Sequence, residues 1–213
     1  SPPSCSKKGK GLTFLLFTIM SFKAMPSTKD FTPVRERQPK VGISACLTGQ
    51  QVRYDGGNRY HQLIQQELAP WLNLQSTCPE VEAGLGIPRP PVQLVKKSEI
   101  ILALGVEDDT LNVTKGLVDT SKHLSGSHCK GLSAYIVKAR SPSCGAGSTP
   151  IHDIDKHQIK LGDGLFVQAL KTAHPHILIM DESSFSDIQV CREFVVRCYN
   201  LQGYQLHQKT SCN

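Results

Sequence analysis

Val41-Gly42-Ile43-Ser44-Ala45-Cys46-Leu47-Thr48-Gly49 is the stretch that decides the fold. Val41 to Ala45 is a short apolar run suited to a buried strand; it stops at a cysteine, and a glycine-containing turn begins. The same pattern returns twice. Leu72–Thr77 can form a strand and ends at Cys78, with Pro79 next. Ser133–Lys138 forms another and runs into Arg140-Ser141-Pro142-Ser143-Cys144-Gly145. Between and after these strands lie helical patterns: Tyr60–Leu68, with Leu63, Ile64 and Leu68 on one side; a segment from Thr114, read as its cap, to Leu124; and Gly164–Thr172. Ile177–Met180 reads as a last strand. A final helix from Ser186 sets Val190, Cys191, Phe194, Val195 and Cys198 on one face. Val92–Val95 and Ile100–Leu104, separated by Lys96-Lys97-Ser98-Glu99, read as a hairpin.

Strands alternating with helices imply parallel βαβ units, hence a single-domain, Rossmann-like layered α/β fold with a mostly parallel sheet. In open parallel sheets the carboxyl ends of the strands share one edge, and ligands bind there. Cys46, Cys78 and Cys144 are therefore expected to be neighbours at that edge, although they are far apart in the chain.

The second of these junctions opens the densest stretch of the sequence, Cys78-Pro79-Glu80-Val81-Glu82-Ala83-Gly84-Leu85-Gly86-Ile87-Pro88-Arg89-Pro90-Pro91. Prolines fix φ and remove backbone donors, while glycines permit positive φ. The stretch reads as a rigid loop, neither helix nor central strand. With a thiol, two carboxylates and a guanidinium on it, it is a candidate site as much as a connector.

The composition, 39% hydrophobic and 20% charged over 213 residues, is that of a globular chain long enough to bury one sizeable core. The net charge of +6 is compatible with an RNA or nucleotide partner and diagnostic of none. Eight cysteines are too sparse and too irregularly spaced for a disulfide scaffold. There is no CxxC pair, HExxH, Walker-type loop, GxGxxG or internal repeat, and the eight histidines show no metal-binding spacing.

Residues 1–39 stand apart from residues 40–213, the expected domain. Lys7, Lys8 and Lys10 precede an apolar run from Leu12 to Met20 that resembles the opening of a signal peptide but lacks a good cleavage site. The run is too short to span a bilayer. Residues 1–24 are read as a dispensable leader on a cytoplasmic protein, with secretion as the alternative and no membrane partner.

A lone cysteine is most simply a small core hydrophobe, and Cys191 and Cys198 are read that way. Cys5 and Cys212 read as free thiols near the termini, and Cys129 as an inert thiol in the surface loop Ser125–Gly131. Three converging thiols are different. They could hold zinc with an open fourth position, three corners of an iron–sulfur cluster, or run thiol–disulfide or sulfur-transfer chemistry. The residues alone leave these open.

The opening block Val41–Gly49 with Val52-Arg53-Tyr54-Asp55-Gly56-Gly57, the Cys78–Pro91 stretch, Asn112-Val113-Thr114, and Tyr135-Ile136-Val137-Lys138 through Ser141-Pro142-Ser143-Cys144-Gly145 resemble, in that order, the domain of unknown function 523 family. The likeness runs from about Lys40 to Cys198. Characterised members of that family are thiouracil desulfidases with a [4Fe–4S] cluster on three cysteines. The resemblance implies a desulfidase that replaces the sulfur of a thiolated pyrimidine, of 2-thiouracil or 4-thiouracil type, with oxygen. It implies Cys46, Cys78 and Cys144 as cluster ligands, with the fourth iron open to a soft thiocarbonyl sulfur. Glu80, two residues past a ligand, would activate water, the alternative being a partner for Arg89. Ser141 and Ser143 would bind substrate or cluster sulfide, or cap their turn. Arg53, Arg89 and Asp55 would bind the pyrimidine edge or order the loops, the latter role suiting Asp55. Relatives that act on thiolated uridine in tRNA carry a second domain. No such domain follows the last helix here, so a free base or nucleoside is expected ahead of tRNA. A zinc or thiol-redox protein, or a sulfur or iron–sulfur carrier, is the competing expectation.

Overall fold

The computed structural model describes residues 37–210, with side chains to residue 203. The leader expectation for residues 1–24, along with Cys5 and Cys212, lies outside the described residues.

Four strands form a fully parallel sheet in the order β2-β1-β5-β8: β1 (Lys40–Ser44), β2 (Asn73–Thr77), β5 (Ala134–Val137) and β8 (Leu178–Asp181). Their side chains alternate between two apolar layers, as a strand's period of two requires. Val41, Ile43, Ala134 and Ile136 pack with Ile64 and Leu68 of the α1 region (Gln62–Glu67) and with Cys191, Phe194 and Cys198 of α5 (Ile188–Thr210). Tyr135 and Val137 face the other way, onto Leu124 of α3 (Thr114–Gly126) and Phe166, Val167 and Leu170 of α4 (Leu165–Ala173). Phe194 and Leu68 are fully buried, each worth about 1.5–3 kcal/mol relative to exposure.

The expected helices are present with local causes. The His61 ring accepts from the Ile64 N–H at the start of α1, and the Asp187 carboxylate from the Val190 N–H at the start of α5. α4 stops at His174, which precedes Pro175 and so disfavours further helix. The expected face of α5 is buried at Cys191, Phe194, Val195 and Cys198.

A second, mixed sheet runs β4-β3-β6-β7, built from β3 (Val92–Lys97), β4 (Ile100–Gly105), β6 (Thr149–His152) and β7 (Gln158–Gly162). The β3–β4 pair is the expected hairpin; β3 and β6 are parallel, β6 and β7 antiparallel. Strands β6 and β7 escape the sequence reading because Pro150 interrupts one and the other is exposed along most of its length.

Three expectations need correction. Cys78–Pro91 is not loop throughout: Pro79–Glu82 makes one helical turn, α2, with Pro79 at the first helical position, where its missing N–H costs nothing. Thr114 does not cap α3. It is the first helical residue, and its hydroxyl accepts from the Ala103 N–H of β4 and donates to the Asn112 side chain, pinning the helix to the second sheet. Cys129 is no surface thiol: it is 3% exposed, packed among Leu124, Leu132, Tyr135 and Phe166.

Candidate active site

The parallel sheet brings the three cysteines together. Cys46 sits in a 3-10 turn (Ala45–Thr48) directly after β1, Cys78 directly after β2, and Cys144 in the loop after β5. All three line one pocket of about 250 Å³ at the carboxyl edge, while Cys129, Cys191 and Cys198 do not. Among the described residues, all six cysteines are free thiols, and no three His, Cys, Asp or Glu side chains converge closely enough to share a single metal ion.

Each pocket thiol is held protonated, chiefly by burial. Desolvation pushes Cys46 up to about 11; the negative charge Cys78 would carry adds to this, and Arg53 and Lys138 work against it. Cys144 rises to about 12, again through burial first, with Ser44 favouring its thiolate and Cys78 and Glu80 opposing it. Burial raises Cys78 too, partly offset by the Val81 amide at the start of α2.

The third loop owes its shape to the helix behind it. The first amides of α4, which have no intrahelical acceptor, donate to the loop: Leu165 N–H to the Pro142 carbonyl and Phe166 N–H to the Ser143 carbonyl, both at 3.0 Å. Gly164 makes this approach possible, since a Cβ there would lie 2.4 Å from the Ser143 carbonyl oxygen. Within the loop, the Ser141 Oγ accepts from the Ser143 and Cys144 amides at 3.3 and 3.1 Å. Ser141 therefore does cap the turn, whereas the Ser143 hydroxyl is directed at Glu80, and both line the pocket.

Glu80 joins two loops. Its Oε1 accepts from the Ser143 hydroxyl at 2.8 Å, and that hydroxyl lies 3.1 Å from Ser141 Oγ. Its Oε2 accepts from Arg89 through Nε at 3.0 Å and Nη2 at 2.6 Å. The Arg89 side chain is only 5% exposed, and its Nη1 donates to the Val52 and Gly86 carbonyls. Arg89 thus braces the loops, and it also lines the pocket. Glu80 is its partner, as the alternative reading had it, and still borders the pocket.

Arg53 presents a different case. It lines the pocket, but its Nε is buried without a hydrogen-bond partner, 3.6 Å from Asp55 in an ion pair. Asp55 does not line the pocket; it accepts from the Gly57 amide at 3.0 Å, the main cause of its lowered pKa, and steadies the turn that carries Arg53. Residues given no role from sequence also stand here. Ser44 accepts from the Lys138 amide at 3.0 Å, and Lys138, on the pocket wall, pairs with Glu182, which also takes the Ala139 amide. Lys138 directly follows β5, so its position just past a strand end was the available signal.

Comparisons with known proteins span the residues that form this site. The family model for 2-thiouracil desulfurase matches residues 41–182, from β1 to just past β8. An uncharacterised protein, YbbK, of Bacillus subtilis is 28% identical over 159 residues, covering 68% of this chain and 97% of its own. A solved structure described as the [4Fe–4S]-dependent thiouracil desulfidase TudS superposes with a TM-score of 0.57 at 27% identity, covering 74% of this chain and 99% of that one.

Proposed function

Since the chain belongs to the 2-thiouracil desulfurase family, we propose that it is a [4Fe–4S]-dependent desulfidase that exchanges the sulfur of a thiolated pyrimidine for oxygen. The observation that carries this reading is the convergence of Cys46, Cys78 and Cys144 on one pocket from three neighbouring parallel strands. Water supplies the oxygen: C=S and H₂O become C=O and H₂S.

The donor set fits such a cluster. A single zinc with Zn–S bonds of about 2.3 Å in tetrahedral geometry needs its thiolates about 3.8 Å apart, and no triad among the described residues converges to share one ion. A cluster assigns each thiolate to a different iron and so tolerates sulfurs spread around a pocket. Soft thiolates are the ligands iron–sulfur clusters use, and Cys46, Cys78 and Cys144 would each lose a proton on binding. The bound cluster would supply a Lewis-acidic iron, open because no fourth cysteine lines the pocket among the described residues, that would take a soft thiocarbonyl sulfur.

The chain's own groups handle water and orientation. Glu80 takes the proton of the attacking water through Ser143, whose hydroxyl already points at Oε1. Ser141, held by two backbone amides, keeps Ser143 aligned. Arg53, which lines the pocket, offers its guanidinium to a ring oxygen or nitrogen, whereas Arg89 and Asp55 act by holding loops. The proposed substrate is a free base or nucleoside ahead of tRNA. On this reading residues 40–213 are the desulfidase domain, residues 1–39 are a leader and tail with the leader at 1–24, and the protein works in the cytoplasm, where its free thiols stay reduced. Among the described residues no helix is long and apolar enough to cross a membrane.

The test is sulfide release from 2-thiouracil by protein reconstituted anaerobically with iron and sulfide. Broad visible absorption and sulfide production are expected together. Absorption with no sulfide from 2-thiouracil or 4-thiouracil would leave a carrier, and failure to take up iron would overturn the reading.

A further inference from the structure

Tyr135 is buried to 99% in the middle of β5, with its ring against Phe166 at 5.2 Å between centroids. The ring crosses β1 at Gly42, where a Cβ would stand 2.3 Å from its Cδ2 and Cε2 atoms. β1 keeps a glycine at that point, and the phenol reaches across the strand towards the sheet's carboxyl edge. The Tyr135 hydroxyl is buried with no hydrogen-bond partner, close to Thr77, which lines the pocket. Thr77 is near enough to favour its ionised form, yet the two make no hydrogen bond of ordinary geometry. The groups it does feel are thiols: Cys144 most strongly, then Cys129, then Cys78. Tyr135 and Cys144 share one apolar cluster.

A buried hydroxyl without a partner costs about 1–3 kcal/mol, and phenylalanine would fill the same space without that cost. The hydroxyl is explained if it gains an acceptor when the site is loaded. A protonated Cys144 thiol is a weak acceptor; a thiolate bound to iron is a strong one.

We propose that Tyr135 is a positioning residue that donates its hydroxyl hydrogen bond to the Cys144 thiolate once the three cysteines hold a cluster. The inference rests on the reading of Cys46, Cys78 and Cys144 as cluster ligands and extends it to the shell behind them. Such a donor withdraws charge from its sulfur, stabilises the more negative reduced cluster, and therefore raises the reduction potential. It also biases the ring to hold Cys144 towards the pocket.

The experiment compares the wild-type chain with Tyr135→Phe, each prepared without iron and after anaerobic reconstitution. Without iron, Tyr135→Phe should melt at or above the wild-type temperature, because the lost hydroxyl had no partner. Loaded, it should show a more negative cluster potential and release iron to a chelator roughly 10–100-fold more readily, the usual effect of removing such a donor. A fluorinated tyrosine at the same position, a stronger donor, should move the potential the other way, and it serves if the phenylalanine variant folds poorly. A loaded variant with wild-type potential and iron retention overturns the assignment. Failure of the wild-type chain itself to load overturns it together with the cluster reading, so the two failures are told apart.

Discussion

Two groups of thiols occupy this molecule, and burial does not separate them. Cys46 and Cys144 around the pocket are buried and pushed up to about 11 and about 12; Cys129 and Cys198 in the core are buried and both pushed up to about 12. Desolvation is the leading cause in every case. The difference lies in surroundings. Cys129 has no other resolved influence, and Cys198 only that of its chain neighbour Arg197. The pocket thiols are answered by Arg53, Lys138, Ser44 and the Val81 amide, all of which favour a thiolate. A core thiol is packed, whereas these three are packed and also provided with partners for a charge they do not yet carry.

The sharpest way to break that contrast is to change one member of each group. Cys78→Ser should lower iron content and sulfide production together to near background, because a hard hydroxyl replaces a soft ligand. Cys198→Ser should leave iron content and turnover per iron at wild-type levels while lowering the melting temperature. If the two variants lose iron equally, the grouping is wrong.

Glu80→Gln tests the next layer. Turnover per bound iron should fall roughly 10²–10⁴-fold with cluster absorption retained. Removing this carboxylate also leaves the buried Arg89 without its counter-ion, a loss of about 3–5 kcal/mol for such pairs. The melting temperature should therefore fall as well. Retained activity would make Glu80 a brace only and move the search for a base to Ser141 and Ser143.

Without iron, by contrast, the groups should behave alike towards pH. Their folded pKa values lie above the unfolded thiol value, so the stability they contribute is complete below about pH 8.5 and is lost as pH rises towards 11 to 12. Urea titrations of iron-free protein should show stability falling above about pH 8.5, and Cys144→Ala and Cys198→Ala should each make that fall shallower. The smallest effect is expected from deleting residues 1–24, upstream of the family match: unchanged melting temperature and sulfide release.

Much of this was legible in the chain. Three strands each running into a cysteine gave the parallel sheet, its carboxyl edge and the thiol trio, because strand period and turn residues are local signals. What was hidden depended on partners remote in sequence. The Glu82-ended turn of α2 is stabilised by its neighbours, and Pro79 looked like a breaker while serving as a helix start. The packing of Cys129 depends on Phe166 and Tyr135. β7 carries no buried face to betray it, only an edge position beside β6. The duty of Arg89 could be stated only as one of two options until the Val52 and Gly86 carbonyls were seen to take both donors of its Nη1.

The positions of the three pocket thiols along the chain have one more consequence. Cys144 lies roughly twice as far from Cys78 as Cys78 does from Cys46, and the second sheet's hairpin and α3 fall within that longer interval. A group bonded to all three would close both intervals at once, as cross-links do, and deprive the unfolded chain of the corresponding freedom. The hairpin would be tethered at both ends although it contributes no ligand. α5, which follows the last ligand, would stay outside both closed loops, so its unravelling would break no bond to the bound group. In loaded protein α5 should therefore yield to proteases ahead of the hairpin and α3.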